Sequence, residues 1–180
     1  MIVALAGRRI DAPGTTPPGF PPDQVDRVRA DLVRTLRAAG VRALVASAAC
    51  GADLLGLEVA ETLGARRRIV LPFERSHFKT ESVTDRPGDW GKTFERLVDA
   101  ANAAGDLVVL GLPHSDDAYA RTNVAILDDA ARLARTTGDT VLSVAVWDRQ
   151  SRGPDDLTEH FLQLAKRHGA IQEIDTRPHR

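Results

Sequence analysis

The sequence predicts an α/β fold: a three-layer, doubly wound domain with a mainly parallel sheet of about six strands. Three observations carry this. Short apolar runs alternate with helix-periodic stretches along the whole chain, which implies crossover connections and parallel neighbours. Several of those runs are apolar almost throughout, as strands covered on both faces are. The stretch from Val41 to Phe73 reads without interruption as strand, glycine turn, helix, strand.

The elements follow in order. Met1 to Ala6 is an apolar run that stops at Gly7, the first strand. Gly7-Arg8-Arg9 follows, and then a loop rich in Pro and Gly from Pro13 to Pro22, where neither strand nor helix can continue. Asp23 can cap a helix in which Val25, Val28, Leu32 and Leu36 recur at helical spacing, with Gly40 as its stop. Arg42 to Ser47 is the second strand. Asp53 to Leu63 is a helix apolar on most faces, hence central, and Gly64 ends it. Arg68 to Leu71 is the third strand, closed by Pro72.

Glu74 to Gly91 has no clean period and reads as a long loop, with Thr80 to Trp90 as a lid over a binding site. Phe94, Leu97, Val98 and Ala101 mark the next helix. Asp106 to Leu110 is the fourth strand. Asp116 or Asp117 caps a helix running to Ala134, and Thr140 to Trp147 is the fifth strand. Asp155 opens the last helix, with Leu157, Phe161, Leu164 and Ala165 inward, and Ala170 to Ile174 is the sixth strand. One domain is expected over residues 1–175, with a polar tail at 176–180.

Bulk composition limits the function. The chain has 180 residues, enough for one domain with a substantial core. A net charge of −1 offers no broad attraction for a polyanion, so nucleic acid is not the default partner. The single Cys50 forbids an internal disulfide, which fits a reducing cytoplasm. No apolar run is long enough to span a membrane.

Ligands on doubly wound sheets bind outside the carboxyl ends of the strands. The candidate residues are therefore those that follow each strand. Gly7, Arg8 and Arg9 form the ligand-facing loop after the first strand, where Arg8 or Arg9 can fork onto a phosphate or carboxylate; the plainer alternative is a solvated or salt-bridged pair. Gly51 and Ala52 precede a helix, where bare backbone N–H groups and the helix dipole favour an anion. Asp53 can accept ribose hydroxyls or simply cap that helix. Tyr119 and Asn123, four apart on one helical face, can offer a ring and an amide. Trp147 can stack on a base and Asp148 can bond sugar or base; Gly153 opens the turn that follows. Arg86 and Trp90 belong to the expected lid. The five histidines show no metal-ligand spacing, so no metal site is expected. No Walker A, GxGxxG or GxSxG motif is present, and no cofactor is implied.

Gly7-Arg8-Arg9 after the first strand, Gly51-Ala52-Asp53 before an apolar helix, Val70-Leu71-Pro72-Phe73, and Val144 to Asp148 together resemble the SLOG superfamily. This groups Rossmann-like domains related to the DNA-processing protein Smf/DprA and to LOG-type phosphoribohydrolases. The resemblance implies a site for a nucleotide or NAD-derived ligand and a role as a sensor or regulatory module in bacterial defence signalling. It further implies a homodimer, joined to or paired with an effector. Arg8 would reach the ligand's phosphate, and Gly51 and Asp53 would belong to the ligand loop.

LOG-type enzymes carry a PGGxGTxxE loop. Gly153 and Glu159 match it, while Ser151, Arg152, Asp155 and Asp156 replace its Pro, first Gly, third Gly and Thr. The alternative reading is therefore a nucleoside-monophosphate N-glycosidase, LOG-like or deoxyribosyltransferase-like, with Glu159 or Asp148 acting at the sugar carbon.

Overall fold

The structure is a computed structural model and describes residues 1–177. Its strands are β1 (Ile2–Gly7), β2 (Ala43–Ala46), β3 (Arg66–Leu71), β4 (Leu107–Val109), β5 (Val141–Trp147) and β6 (Ala170–Asp175). The helices are α1 (Val25–Ala38), α2 (Ala52–Thr62), α3 (Arg75–Ser82), α4 (Trp90–Ala103), α5 (Asp116–Thr137) and α6 (Leu157–Ala165). The strands form one sheet in the order β4-β3-β2-β1-β5-β6, and every neighbouring pair is parallel. The α/β arrangement expected from the sequence is the one observed.

Alternation along the strands sends successive side chains to opposite faces, and each face has its own core. Val3, Leu5, Leu44, Ile69, Val144 and Val146 pack under α1, α2 and α4, with Phe78 of α3 and Phe94 of α4 among the buried rings. Ile2, Ala4, Val45 and Val70 pack under α5 and α6. Phe161 is fully buried there, a ring whose burial contributes about 1.5–3 kcal/mol and holds α6 to the sheet. The helix α2 is central: its Gly56 lies so close to β1 that an added Cβ would stand 2.7 Å from a Leu5 methyl.

Two expectations need correction. The segment after β3 is not a plain loop: Arg75–Ser82 is helix, started by Glu74, whose carboxylate accepts the N–H groups of Ser76 (2.9 Å) and His77 (3.2 Å). Its only buried residues are Phe78 and Ser82, so it shows no apolar period for the sequence to reveal. At the other end, the expected polar tail begins inside the fold. Thr176 is fully buried, its N–H donating to Trp147 O (3.1 Å) and its hydroxyl to Gly19 O; residues 178–180 of that tail lie outside the described residues.

The strand order sets the position of the site. From β1 the chain moves outward through β2, β3 and β4, then returns to place β5 on the other side of β1. The loops after β1 and β5 therefore leave in different directions and open a crevice at the carboxyl ends of the strands.

Candidate ligand site

A cavity of about 490 Å³ occupies that crevice. One wall is the chain after β1, from Gly7 to Ala12. A second is Ser47, Ala49 and Asp53, from the β2–α2 connection. The others come from α3 and the turn after it (Glu81, Ser82, Arg86), from α5 (Tyr119, Asn123) and from the start of α6 (Asp156 to Thr158). Six of the sequence's candidates thus meet around one space: Gly7, Arg8, Arg9, Asp53, Tyr119 and Asn123, joined by Arg86 from the expected lid.

Arg8 does not offer its charge to that space. It is buried, and its guanidinium is spent on the protein: Nε donates to Asp148 Oδ1 (2.9 Å), while Nη1 and Nη2 fork onto Asp156 Oδ1 and Oδ2 (2.8 and 2.7 Å). Nη2 also donates to Gln150 O (2.6 Å). Asp156 in turn caps α6 by accepting the N–H groups of Thr158 and Glu159, each at 3.0 Å. Burial alone would lower the Arg8 pKa and raise that of Asp156. The hydrogen bonds outweigh it and hold the guanidinium above, and the Asp156 carboxyl below, their ordinary ranges. Arg8 is a buckle between β1, β5 and α6, and the expectation that it neutralises a ligand phosphate does not fit this geometry.

The second arginine and the glycine turn are also committed. Arg9 Nη1 donates to Glu81 O (2.7 Å) and to both oxygens of Asp85 (3.0 Å each), which ties the β1 loop to the end of α3. Gly51 does not line the cavity. It adopts φ +98°, and a Cβ there would stand 2.8 Å from Arg8 O and from Ile10 N, so this glycine serves a close backbone crossing. The Ala52 N–H is taken by Arg8 O (3.1 Å), and Ala52 packs against Gly7, away from the ligand space. The backbone cradle expected at the start of α2 is used by the protein's own first loop.

Other candidates fall outside the cavity for similar reasons. Trp147 is buried, donates Nε1–H to Glu173 (2.8 Å) and lies under the Arg8 guanidinium, 5.6 Å from its ring centroid. Asp148 is consumed by Arg8. Gly153, at φ +96°, shapes the turn before α6 without facing the space. Glu159 is partly exposed, bonded to the Ser151 hydroxyl, and does not line the cavity, so neither acid of the glycosidase reading faces it. Trp90 belongs to α4 and donates to Pro87 O (2.9 Å); of the expected lid pair only Arg86 reaches the wall.

What remains open to a ligand is specific. Asp53 is 7% exposed and its carboxyl receives one hydrogen bond, from Ala49 N–H at 3.2 Å. Burial pushes its pKa from 3.8 up to about 7, against the pull of that bond and of Arg9. Arg86 Nε is buried and makes no hydrogen bond, although it lies 3.3 Å from Asp85 Oδ2. The Tyr119 hydroxyl meets Ser82 Oγ at 3.1 Å, and the Asn123 amide donates to Leu157 O at 2.8 Å. Cys50 is buried, and burial pushes its thiol up to about 11.

Sequence reasoning missed one group at the cavity rim. His77 and Glu81 of α3 and His114 from the β4–α5 loop come together, with Glu81 also in the cavity wall. The spacing of His77 and Glu81 is a usable signal only once α3 is known to be a helix, and His114 arrives from a distant loop.

No known protein family matches the sequence, and no curated protein matches it. Among solved structures, the chain is similar in fold to DNA processing protein A (DprA) from Streptococcus pneumoniae, with 14% identity and a TM-score of 0.43; the match covers 94% of this chain and 57% of that one. It is similar also to DNA processing protein A from Helicobacter pylori, again at 14% identity, with a TM-score of 0.42, covering 96% of this chain and 74% of that one. The chain thus spans little more than half the length of the first of these. The Helicobacter pylori structure is described by its single-stranded DNA binding mode. The expectation that set nucleic acid aside is withdrawn on its own premise: net charge averages the whole surface and excludes no local groove. Among the described residues, no helix is long and apolar enough to cross a membrane.

Proposed function

We propose that this chain binds a small nucleotide-type ligand in the crevice between the β1 and β5 loops, as a sensor or regulatory module. The observation that carries the reading is Asp53: a buried carboxyl with one hydrogen bond, facing a ligand-sized cavity at the switch point of a doubly wound sheet. Ionised, it accepts from a ribose diol; protonated, it can also donate. Arg86, ion-paired with Asp85 but with a buried Nε that makes no hydrogen bond among the described residues, is a cation suited to a single anionic group. With Arg8 and Asp156 neutralising each other, the lining carries five other carboxyl groups (Asp11, Asp53, Glu81, Asp116, Asp155) against three other guanidinium groups (Arg9, Arg86, Arg152), which disfavours a polyphosphate. An NAD-derived nucleoside or a mononucleotide suits this balance better.

The test is a thermal-shift series on wild type and Asp53→Asn. The panel holds nucleosides, mononucleotides, NAD, ADP-ribose, cyclic nucleotides and a short single-stranded oligonucleotide, with base release followed by chromatography. A ligand at 100 times its Kd adds about 2.7 kcal/mol of stability to wild type. Loss of a hydrogen bond to a charged group weakens binding in the variant by about 10- to 100-fold. Silence across the panel, or a shift that Asp53→Asn leaves intact, rejects this site. Release of free base replaces the sensor reading with the glycosidase.

A further inference from the structure

The rim cluster has a chemistry of its own. His77 and Glu81 are four apart on α3, so their side chains leave the same helix face. His77 Nε2 lies 3.1 Å from Glu81 Oε1, and His114 Nε2 is hydrogen-bonded to Glu81 Oε2. The donor atoms of all three residues lie within 4.8 Å of one another. Both rings are braced by Phe73, with centroid separations of 5.1 Å to His77 and 5.0 Å to His114, and they stack on each other at 4.4 Å. The end of α3 is fixed from below by the Arg9 bond to Glu81 O. Three side chains whose donor atoms lie within 4.8 Å of one another, from two backbone segments and against a common brace, are pre-arranged for a cation.

We propose that His77, Glu81 and His114 bind one divalent transition-metal ion, zinc or a close relative, at the rim of the cavity. Two imidazole nitrogens and one carboxylate oxygen are donors such ions take, whereas magnesium and calcium favour all-oxygen sites. Three protein ligands leave the ion a position for water or for an anionic group, the form of an open site rather than a closed structural one. The side chains are 36% to 47% exposed, so the ion can enter without unfolding. Glu81 belongs to both the cluster and the cavity wall, so the ion would add positive charge beside a lining rich in carboxylates. The inference stands apart from the nucleotide reading, because it needs only these three residues.

The test is a titration of the full chain with Co²⁺, read by its visible absorption, followed by displacement with Zn²⁺. Wild type takes up one equivalent. His77→Ala and His114→Ala each weaken uptake by about 10-fold or more, since even loss of a residue behind the ligands costs that much. Glu81→Gln keeps the shape and loses the charge, and weakens uptake likewise. Circular dichroism confirms that the variants fold, as expected for exposed side chains. Uptake that survives in the His77→Ala, His114→Ala double variant, uptake abolished instead by replacing His160 or His168, or no uptake by folded wild type overturns the proposal.

Discussion

Two carboxyl groups on the wall of one cavity have opposite fates. Asp156 and Asp53 are 5% and 7% exposed, each at the start of a helix that follows a strand. Asp156 faces the forked Arg8 guanidinium and two helix N–H groups, and stays ionised below the usual range. Asp53 has one backbone N–H, and burial drives its pKa to about 7. Exposure is similar, but Asp53 lies deeper among protein atoms, so its stronger desolvation and its shortage of partners together raise its pKa, while the bonds to Asp156 outweigh desolvation there. The saturated acid holds the fold together. The unsaturated one has bonding capacity that nothing among the described residues uses, and the proposed ligand would gain from it.

The largest test removes the saturating partner. Arg8→Met leaves Asp156 buried without its cation and Asp148 with only Arg152, 3.7 Å away, and should cost about 3–5 kcal/mol, the range for breaking a buried pair from one side. Urea unfolding measures it directly. A triple replacement of Arg8, Asp148 and Asp156 by apolar residues of similar volume should lose far less, because no orphaned charge remains. A loss of under about 1 kcal/mol for Arg8→Met would put this network in the class of surface bridges and dissolve the contrast with Asp53.

The next test follows the proton on Asp53. The unfolded chain releases it near 3.8 and the folded chain near 7, so between those values the folded state holds more protons. Stability from this residue is complete below the lower value and falls by about 1.4 kcal/mol per pH unit as pH rises towards the upper one. Asp53→Asn cannot ionise and should lack that decline. The stability of wild type minus variant, from urea unfolding between about pH 4.5 and about pH 7.5, isolates the slope from every other titrating group. A flat difference would mean that Asp53 is solvated or paired in solution, and the cavity would lose its principal recognition group.

The same contrast explains what the sequence could and could not reveal. Patterns set by neighbours in the chain were legible: the strand runs, the glycine stops, and the loops that border the crevice. So was the position of the crevice, because strand ends must open there. Direction was not legible. Arg8 follows β1 as a ligand-binding arginine would, but the groups that claim it, Asp148 and Asp156, are 140 and 148 positions away. Gly51 reads as a phosphate turn, yet the same φ serves a backbone crossing against Arg8 and Ile10. Trp147 has the right place for a stacking ring and the wrong facing. The α3 helix escaped because Phe78 and Ser82 cannot make a period, and with it went the pairing of His77 and Glu81.

The smallest expected effect belongs to Ser143, and it sharpens the comparison most cheaply. Its hydroxyl is fully buried in β5 and has no hydrogen-bond partner among the described residues, a neutral counterpart of the under-bonded Asp53. Unlike Asp53, it does not face the cavity. Removing a buried group that makes no bond relieves its desolvation cost, which offsets the small packing loss, so Ser143→Ala should change stability by less than about 1 kcal/mol in either direction. Its ligand-induced thermal shift should equal that of wild type, whereas Asp53→Asn reduces the shift. Equal loss of the shift in both variants would mean that unsatisfied polar groups in this sheet act through the stability of the whole domain, and that an under-bonded acid does not mark a binding site here.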